Sequence, residues 1–265
     1  MNLTPEQIAE LERQNYEAIL PTAEVTSGMT VEIRDDVILN SSTVFPTPDL
    51  NHACLLRATS ETAPALLDEV TAYFADHEVP ATIFVSPACT PADLPARLEA
   101  RGYVKQKEKE AWMLLEHASD FALTASARDV EVEQINPQDA LTFARVFLQA
   151  FDMPEAYAPV MAQLIEPSIG LPGVFHYLAR IDDKPAGVCT LLCHEDLAIL
   201  GSAGVLPIRR GRRVLASLAF AVHEEGKRQG LDRALLQTTA GTLFERFLRI
   251  SGFKRAFTRV CYTLS

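Results

Sequence analysis

The chain repeats its own plan at an offset of 150 residues. The stretch "LEARGYVKQKEKEAWMLL", from Leu98, falls on "LRISGFKRAFTRVCYTLS", from Leu248. Leu98 meets Leu248, Gly102 meets Gly252, Tyr103 meets Phe253 and Trp112 meets Tyr262. Few residues are identical. What matches is an order: helix, glycine, aromatic residue, strand. A glycine directly after helical periodicity suits a left-handed helix end, and the preceding strand and helix align without a gap. A unit of this length is domain-sized. The 265 residues therefore divide into a module over 1–120 and a second over 128–265, joined by the small, polar stretch "HASDFALTASAR".

Periodicity gives the elements. In the first half we expect helices over 4–20 (Thr4 as cap, Pro5 in the first turn), 62–77 and "PADLPARLEARGY", with strands over 29–38, 53–57, "ATIFVSP" and "KQKEKEAWMLLE". In the second half, helices are expected over 137–151, 211–227 and 243–249. Strands are expected over 130–135, 174–181, 186–193, 197–205 and 233–237, with a last extended run to Leu264. The mixture implies an α+β fold.

Thirty-five acidic residues against 24 Lys and Arg leave a net charge of −11. That balance argues against nucleic acid as a partner and suits a cationic or amine substrate. No apolar run reaches the roughly 18 residues of a membrane span, so no membrane partner is expected. The start of the chain is polar and acidic, unlike a secretion signal. The five cysteines are scattered without a CxxC pair, as expected of free thiols in a cytoplasmic protein.

Against this acidic background, "VLPIRRGRRVLASL" gathers four arginines at the start of one helix. The first N–H groups of a helix lack intrahelical partners and favour an anion such as a pyrophosphate. Arginines add forked, charged donors. The plain alternative is that Arg209, Arg210, Arg212 and Arg213 form a solvated surface run.

The pattern "V-x-P-x-x-R-G-R", Val205 to Arg212, resembles the cofactor motif of the GCN5-related N-acetyltransferases, the GNAT superfamily. "SGFK", from Ser251 to Lys254, resembles that family's closing signature. The resemblance covers about 130–264; the first half is similar, more weakly, to the degenerate first module of tandem GNAT proteins. It implies an α/β/α architecture in two GNAT-like modules, with mixed, mostly antiparallel sheets flanked by helices. It implies acetyl-CoA, or another acyl-CoA, as cofactor. The pyrophosphate would lie on Arg210, Gly211, Arg212, Arg213, Val214, Leu215 and Ala216. The pantetheine arm would pair with the backbone of Ala203, Gly204 and Val205, where an N–H would polarise the thioester carbonyl. A small-molecule or peptide amine would attack directly.

Some positions depart from the family. Arg213 and Leu215 stand where small residues are usual, Gly241 where asparagine is usual, and Leu248 where a proton-donating tyrosine is frequent. Glu195 and Asp196 open the strand that feeds the arginine loop. They are the candidate general bases, against a plain reading as a hairpin turn. Tyr262, Cys261, His176 and His223 read as core or surface residues. Cys189 and Cys193, although spaced on one strand face beside His194, do not call for a metal. The first module offers only "SETAP" where the second has its arginine loop, so it is expected to be cofactor-free. A GNAT-like module that holds acyl-CoA but catalyses poorly, or serves interaction, is the rival reading. The acceptor, the acyl length and the oligomeric state stay open.

Overall fold

The computed structural model describes residues 1–45, 47–123, 126–211 and 213–264. The first module begins with α1 (Pro5–Glu17), whose start is closed by a capping box: Thr4 Oγ1 accepts from Gln7 N–H while the Gln7 side chain accepts from Thr4 N–H. Such a cap contributes about 1 kcal/mol. After α2 (Leu20–Val25), the expected strand over 29–38 is a hairpin instead, β1 (Met29–Ile33) and β2 (Ile38–Ser42). Two aspartates at its bend explain the reversal, since Asp favours turns. β3 (His52–Cys54) stops earlier than periodicity suggests, because Leu55 turns left-handed at φ 50°. Then come α3 (Ala63–Asp76), β4 (Thr82–Val85), α4 (Leu94–Ala100) and β5 (Tyr103–Leu115).

The second module runs β6 (Glu131–Gln134), α5 (Ala140–Ala150), α6 (Ala158–Ile165), β7 (Val174–Ile181), β8 (Lys184–His194) and β9 (Leu197–Val205). It closes with α7 (Val214–Arg228), β10 (Arg233–Thr239), α8 (Leu243–Ile250) and β11 (Lys254–Leu264). Gly102 and Gly252 occupy the matching left-handed positions, at φ 88° and 104°, between the last helix and last strand of each half.

The described strands form one mixed sheet in the order β1-β2-β3-β4-β11-β5-β10-β9-β8-β7-β6. Only β3–β4 and β9–β10 pair in parallel. The two modules share this sheet by exchanging their last strands. β11 of the second module lies beside β4, and β5 of the first lies beside β10, with β5 and β11 paired at the centre. The repeat thus becomes a pseudo-two-fold between β5 and β11.

Helices cover both faces. α3, α4, α7 and α8 pack on one, with Leu67, Phe74 and Leu98 against Ile83 in the first half and Val214, Leu218 and Val222 against Ala198 in the second. On the other face α1 buries Ile8, Leu11 and Tyr16 against Cys54, Phe84 and Trp112, and also against Leu197, Ile199 and Leu235. The first helix of the first module thereby forms part of the floor of the second. Full burial of such side chains stabilises by about 1.5–3 kcal/mol each. α5 and α6 continue this face over β7 and β8. Among the described residues no helix is long and apolar enough to cross a membrane.

Candidate functional site

β9 and β10 pair only from Leu197 to Leu200 against Arg233 to Leu236. Both strands continue beyond that, to Val205 and Thr239, so they splay. On the β8 side, Val188 faces Gly204 and Thr190 faces Gly201, leaving two residues of β9 opposite one of β8. Ser202, at φ 52°, is at this bulge. A bulge leaves backbone groups outside the ladder and re-aims the strand. The edge of β9 that faces β10 is therefore open from Gly201 through Ala203, Gly204 and Val205. Gly204 has to be glycine: a Cβ there would stand 2.7 Å from Ala150 Cβ at the end of α5.

The arginine loop follows. The helix starts at Val214, three residues later than its sequence pattern suggests, with Arg213 as its N-cap in a left-handed conformation, φ 58° and ψ 14°. No side chain caps it, and its first internal bond in the loop-to-helix step is Ser217 N–H to Arg213 C=O. The N–H groups of Val214, Leu215 and Ala216 thus lie before the helix can satisfy them. Gly211 turns at φ 81° in open space. Arg210 is exposed and donates to the Ala150 carbonyl at 3.0 Å, tying the loop to the end of α5. Arg213 is exposed and Arg209 half-buried, and neither has a partner among the described residues. Arg212 lies outside the described residues. Below the loop, an apolar cavity of about 50 Å³ extends between α7 and α8, lined by Leu215, Leu218, Val222, Phe244, Leu248 and Phe253.

The first module's counterpart is closed. Thr90 N–H donates to the Leu56 carbonyl at 2.9 Å, and Arg57 and Thr90 form a parallel bridge. Arg57 Nη1 also donates to the Ala88 carbonyl. At the start of α3, the Thr59 hydroxyl accepts from the N–H groups of Glu61 and Thr62, and Pro64 has no N–H to offer. In the first module the strand end is thus paired, and at the first helical position Ala63 N–H donates to the Thr59 carbonyl.

Glu195 and Asp196 need correcting as candidate bases. They are the turn between β8 and β9, and Glu195 sits left-handed at φ 51°. β9 rises roughly 26 Å over its length, so the turn lies at the far end from the arginine loop. Glu195 accepts from Gln14 Nε2 at 3.2 Å, and Asp196 pairs with Arg233 at 3.2 Å while its carbonyl accepts from the Asp232 and Arg233 N–H groups. These contacts hold a turn. Leu248 and Tyr262 are both buried core residues, 3 % and 2 % exposed.

Sequence reading missed a polar cluster on the α1 face at the splayed end of β10. Arg259 of β11 is 3 % exposed. Its Nε donates to Glu110 Oε2 at 2.6 Å, and its Nη1 to Glu12 Oε1 and the Tyr16 hydroxyl at 3.3 and 3.2 Å. Its guanidinium lies 4.5 Å from the Phe84 ring centre and 4.7 Å from that of Trp112. Trp112 Nε1 donates to the same Glu110 oxygen at 2.7 Å. Tyr16 also meets His52 Nε2 at 2.5 Å. Loss of water, then the Arg259 charge, push His52 down to about 4. Glu110 stands opposite Thr239 of β10, and Asn15 accepts from Gln237 Nε2 at 2.8 Å. A charged residue between Ala256 and Tyr262, amid the apolar part of β11, was the available signal; its partners, at positions 12 and 110, are too distant in sequence to be read from it.

No family model and no curated protein sequence matches the chain. Solved structures do. A GCN5-related N-acetyltransferase from Kribbella flavida superposes with a TM-score of 0.68 at 14 % identity, over 96 % of this chain and 94 % of its own. A tandem GNAT protein from the clavulanic acid biosynthesis pathway gives 0.62 at 13 %, over 94 % and 86 %. A GCN5-related N-acetyltransferase from Sphaerobacter thermophilus gives 0.61 at 15 %, over 98 % and 93 %. The fold is the tandem GNAT fold.

Proposed function

We propose that the second module is an acyl-CoA-dependent N-acyltransferase, with acetyl-CoA as donor, and that the first is cofactor-free. The observation that carries this reading is the splay of β9 from β10 ending at a helix start that no side chain caps, where Arg209 and Arg213 have no carboxylate partner among the described residues. These residues fit the donor: the backbone of Ala203, Gly204 and Val205 offers an open strand edge for the pantetheine arm. The N–H groups of Val214, Leu215 and Ala216 offer an anion seat. Arg213, exposed, is placed to meet a further phosphate. When bound, the donor supplies an activated acyl group; the chain contributes position and exclusion of water. The closed counterpart in the first module supports a single donor site. The relatives' names support N-acetyl transfer, and the five free thiols agree with a reducing cytoplasm.

Leu248, buried where the resemblance calls for a tyrosine, favours one alternative: a module that binds acyl-CoA and catalyses weakly. Water would then protonate the leaving thiolate. Calorimetric titration of acetyl-CoA into the full chain tests the shared step. Binding should also stabilise the fold by about 2.7 kcal/mol at 100 times the dissociation constant. A flat titration with both CoA and acetyl-CoA overturns the donor assignment; binding without transfer to any amine favours the weaker reading.

A further inference from the structure

We propose that the cavity between α7 and α8 holds the acyl chain of the donor, so that the preferred thioester carries a straight chain of about six carbons rather than an acetyl group. The proposal rests on the acyltransferase reading for the CoA part of the donor and deepens it by naming the acyl class.

The two halves of the molecule treat this space differently. In the first module, Leu66, Leu67, Val70 and Phe74 of α3 and Leu94 and Leu98 of α4 join in one apolar cluster over the sheet. In the second, α7 and α8 belong to two clusters. Val214, Leu218 and Val222 pack with Ala198, whereas Leu248 and Phe253 pack with Leu115 and Leu236. Leu200 and Ala234, on the strands beneath, touch both clusters and stay only half-buried. Close packing is the rule in a protein interior, so a gap over the middle of a sheet, where the other half is filled, points to an occupant.

The gap meets the donor seat at two places. Leu215, in its wall, is the second residue of α7, within the turn whose N–H groups form the anion seat. Leu200 and Leu236, on its floor, are the last paired residues before β9 and β10 splay. A pantetheine arm that starts at the anion seat and follows the open edge of β9 inward ends at that crotch. Its acyl group then lies over Leu200 and Leu236, where the cavity begins.

The lining suits hydrocarbon. Leu218, Ala219, Val222 and Gly226 of α7 face Phe244 and Leu248 of α8. Leu248 presents hydrocarbon where the resemblance calls for a tyrosine. Ala219 and Gly226 leave room: a Cβ on Gly226 would meet nothing nearer than Ala198 Cβ at 3.8 Å. The polar residues at the margin are engaged elsewhere. Asp232 pairs with His117 Nδ1 at 2.9 Å and accepts from Ala118 N–H, Arg233 pairs with Asp196, and the Ser251 hydroxyl donates to the Phe247 carbonyl. A cavity without polar partners stays dry and takes apolar ligands. Its volume of about 50 Å³ has room for roughly four water-sized groups, which is four methylenes beyond acetyl. The connector between the modules closes the far end. Phe121 stacks on His223 at 4.2 Å between ring centres, and Ala122 N–H donates to the Ser251 carbonyl at 3.1 Å.

The test is calorimetry on the full chain with CoA, acetyl-CoA, hexanoyl-CoA and decanoyl-CoA, and with free hexanoate as a chain without the CoA anchor. Hexanoyl-CoA should bind at least about tenfold tighter than acetyl-CoA, since each buried methylene adds to affinity. Decanoyl-CoA should bind no tighter than hexanoyl-CoA, because the far end is closed. Ala219→Leu and the bulkier Ala219→Phe fill the cavity. They should bring hexanoyl-CoA down to the level of acetyl-CoA, while acetyl-CoA binding and cooperative melting stay as in wild type. Equal binding of acetyl-CoA and hexanoyl-CoA by wild type, a preference that survives in both folded variants, still tighter binding of decanoyl-CoA, or free hexanoate binding as tightly as hexanoyl-CoA overturns the proposal. If neither variant folds, the chain-length series in wild type decides. Wild type that binds acetyl-CoA without gain from the longer chain loses only the chain site; wild type that binds no CoA compound loses the donor assignment and the chain site with it.

Discussion

Arg213 concentrates the conflict between stability and charge in one residue. A left-handed conformation costs a non-glycine residue about 1–2 kcal/mol, and it sits there at φ 58°. Glycine would remove that cost but give back part of it as unfolded-chain entropy. Arg213→Gly should therefore gain about 0.5–1 kcal/mol, seen as a higher melting temperature. If the exposed guanidinium meets a phosphate, the same variant should bind CoA roughly tenfold more weakly, the equivalent of about 1.5 kcal/mol for a charged contact. Dephospho-CoA should bind both proteins alike. Tighter CoA binding by Arg213→Gly would show that the side chain obstructs the loop instead. The family-like spacing of the arginines was legible in the sequence. That the residue in glycine's place retains glycine's backbone geometry was not, because φ depends on how the loop is anchored through Arg210 to Ala150.

At the scale of elements, the start of α7 is set by how closely it crosses β8. A Cβ on Gly187 would stand 2.8 Å from Val214 Cγ1 and 2.9 Å from the Gly204 carbonyl. Neither can yield cheaply, one being packed and the other backbone. Gly187→Ala should cost about 1–3 kcal/mol as an overpacking change and weaken acetyl-CoA binding by moving the helix start. Gly211→Ala is the control. Nothing lies within 4 Å of its Cβ position, so only the left-handed strain of about 1–2 kcal/mol applies. Chemical denaturation of the two variants, alongside acetyl-CoA titration, separates crowding from strain. If Gly187→Ala binds acetyl-CoA as wild type does, the helix start is not held by that contact.

For the whole molecule, strand exchange makes the two halves one folding unit. β5 leaves the first module for β10, and β11 leaves the second for β4. Residues 1–120 and 121–265 expressed apart should each lack cooperative unfolding and should recover it when mixed; two independent transitions would contradict a shared sheet. Acid should also unfold the protein progressively. His52 and His176 are both held neutral by burial down to about 4. The unfolded chain takes up those protons near 6.5, so stability falls as pH drops from about 6.5 to 4 and this contribution levels off below. Each site contributes at most about 3 kcal/mol. Glu12 and Asp49, raised by burial, act in the opposite sense. His176→Gln should lose less stability than wild type between pH 7 and 4.5 in urea titrations; an equal loss would mean His176 does not drive the acid limb.

The sequence by itself determined the repeat, the order of elements and the arginine loop, since each is written in contiguous residues as periodicity, glycine placement or local charge. It also carried the α+β class, because alternating helices and strands can bury their apolar faces only by layering. Tertiary structure alone decided which strand pairs with which. β5 and β11 present similar edges, and nothing local says that each completes the other's half. That exchange brings Glu110 and Arg259 together across 149 residues of chain. The difference between the two clefts is tertiary as well: Thr90 closes the first by bonding to the Leu56 carbonyl, and among the described residues nothing equivalent joins β9 to β10 beyond Leu200. Charge is a property of a residue, but its burial and its counter-charge belong to the neighbours that folding supplies.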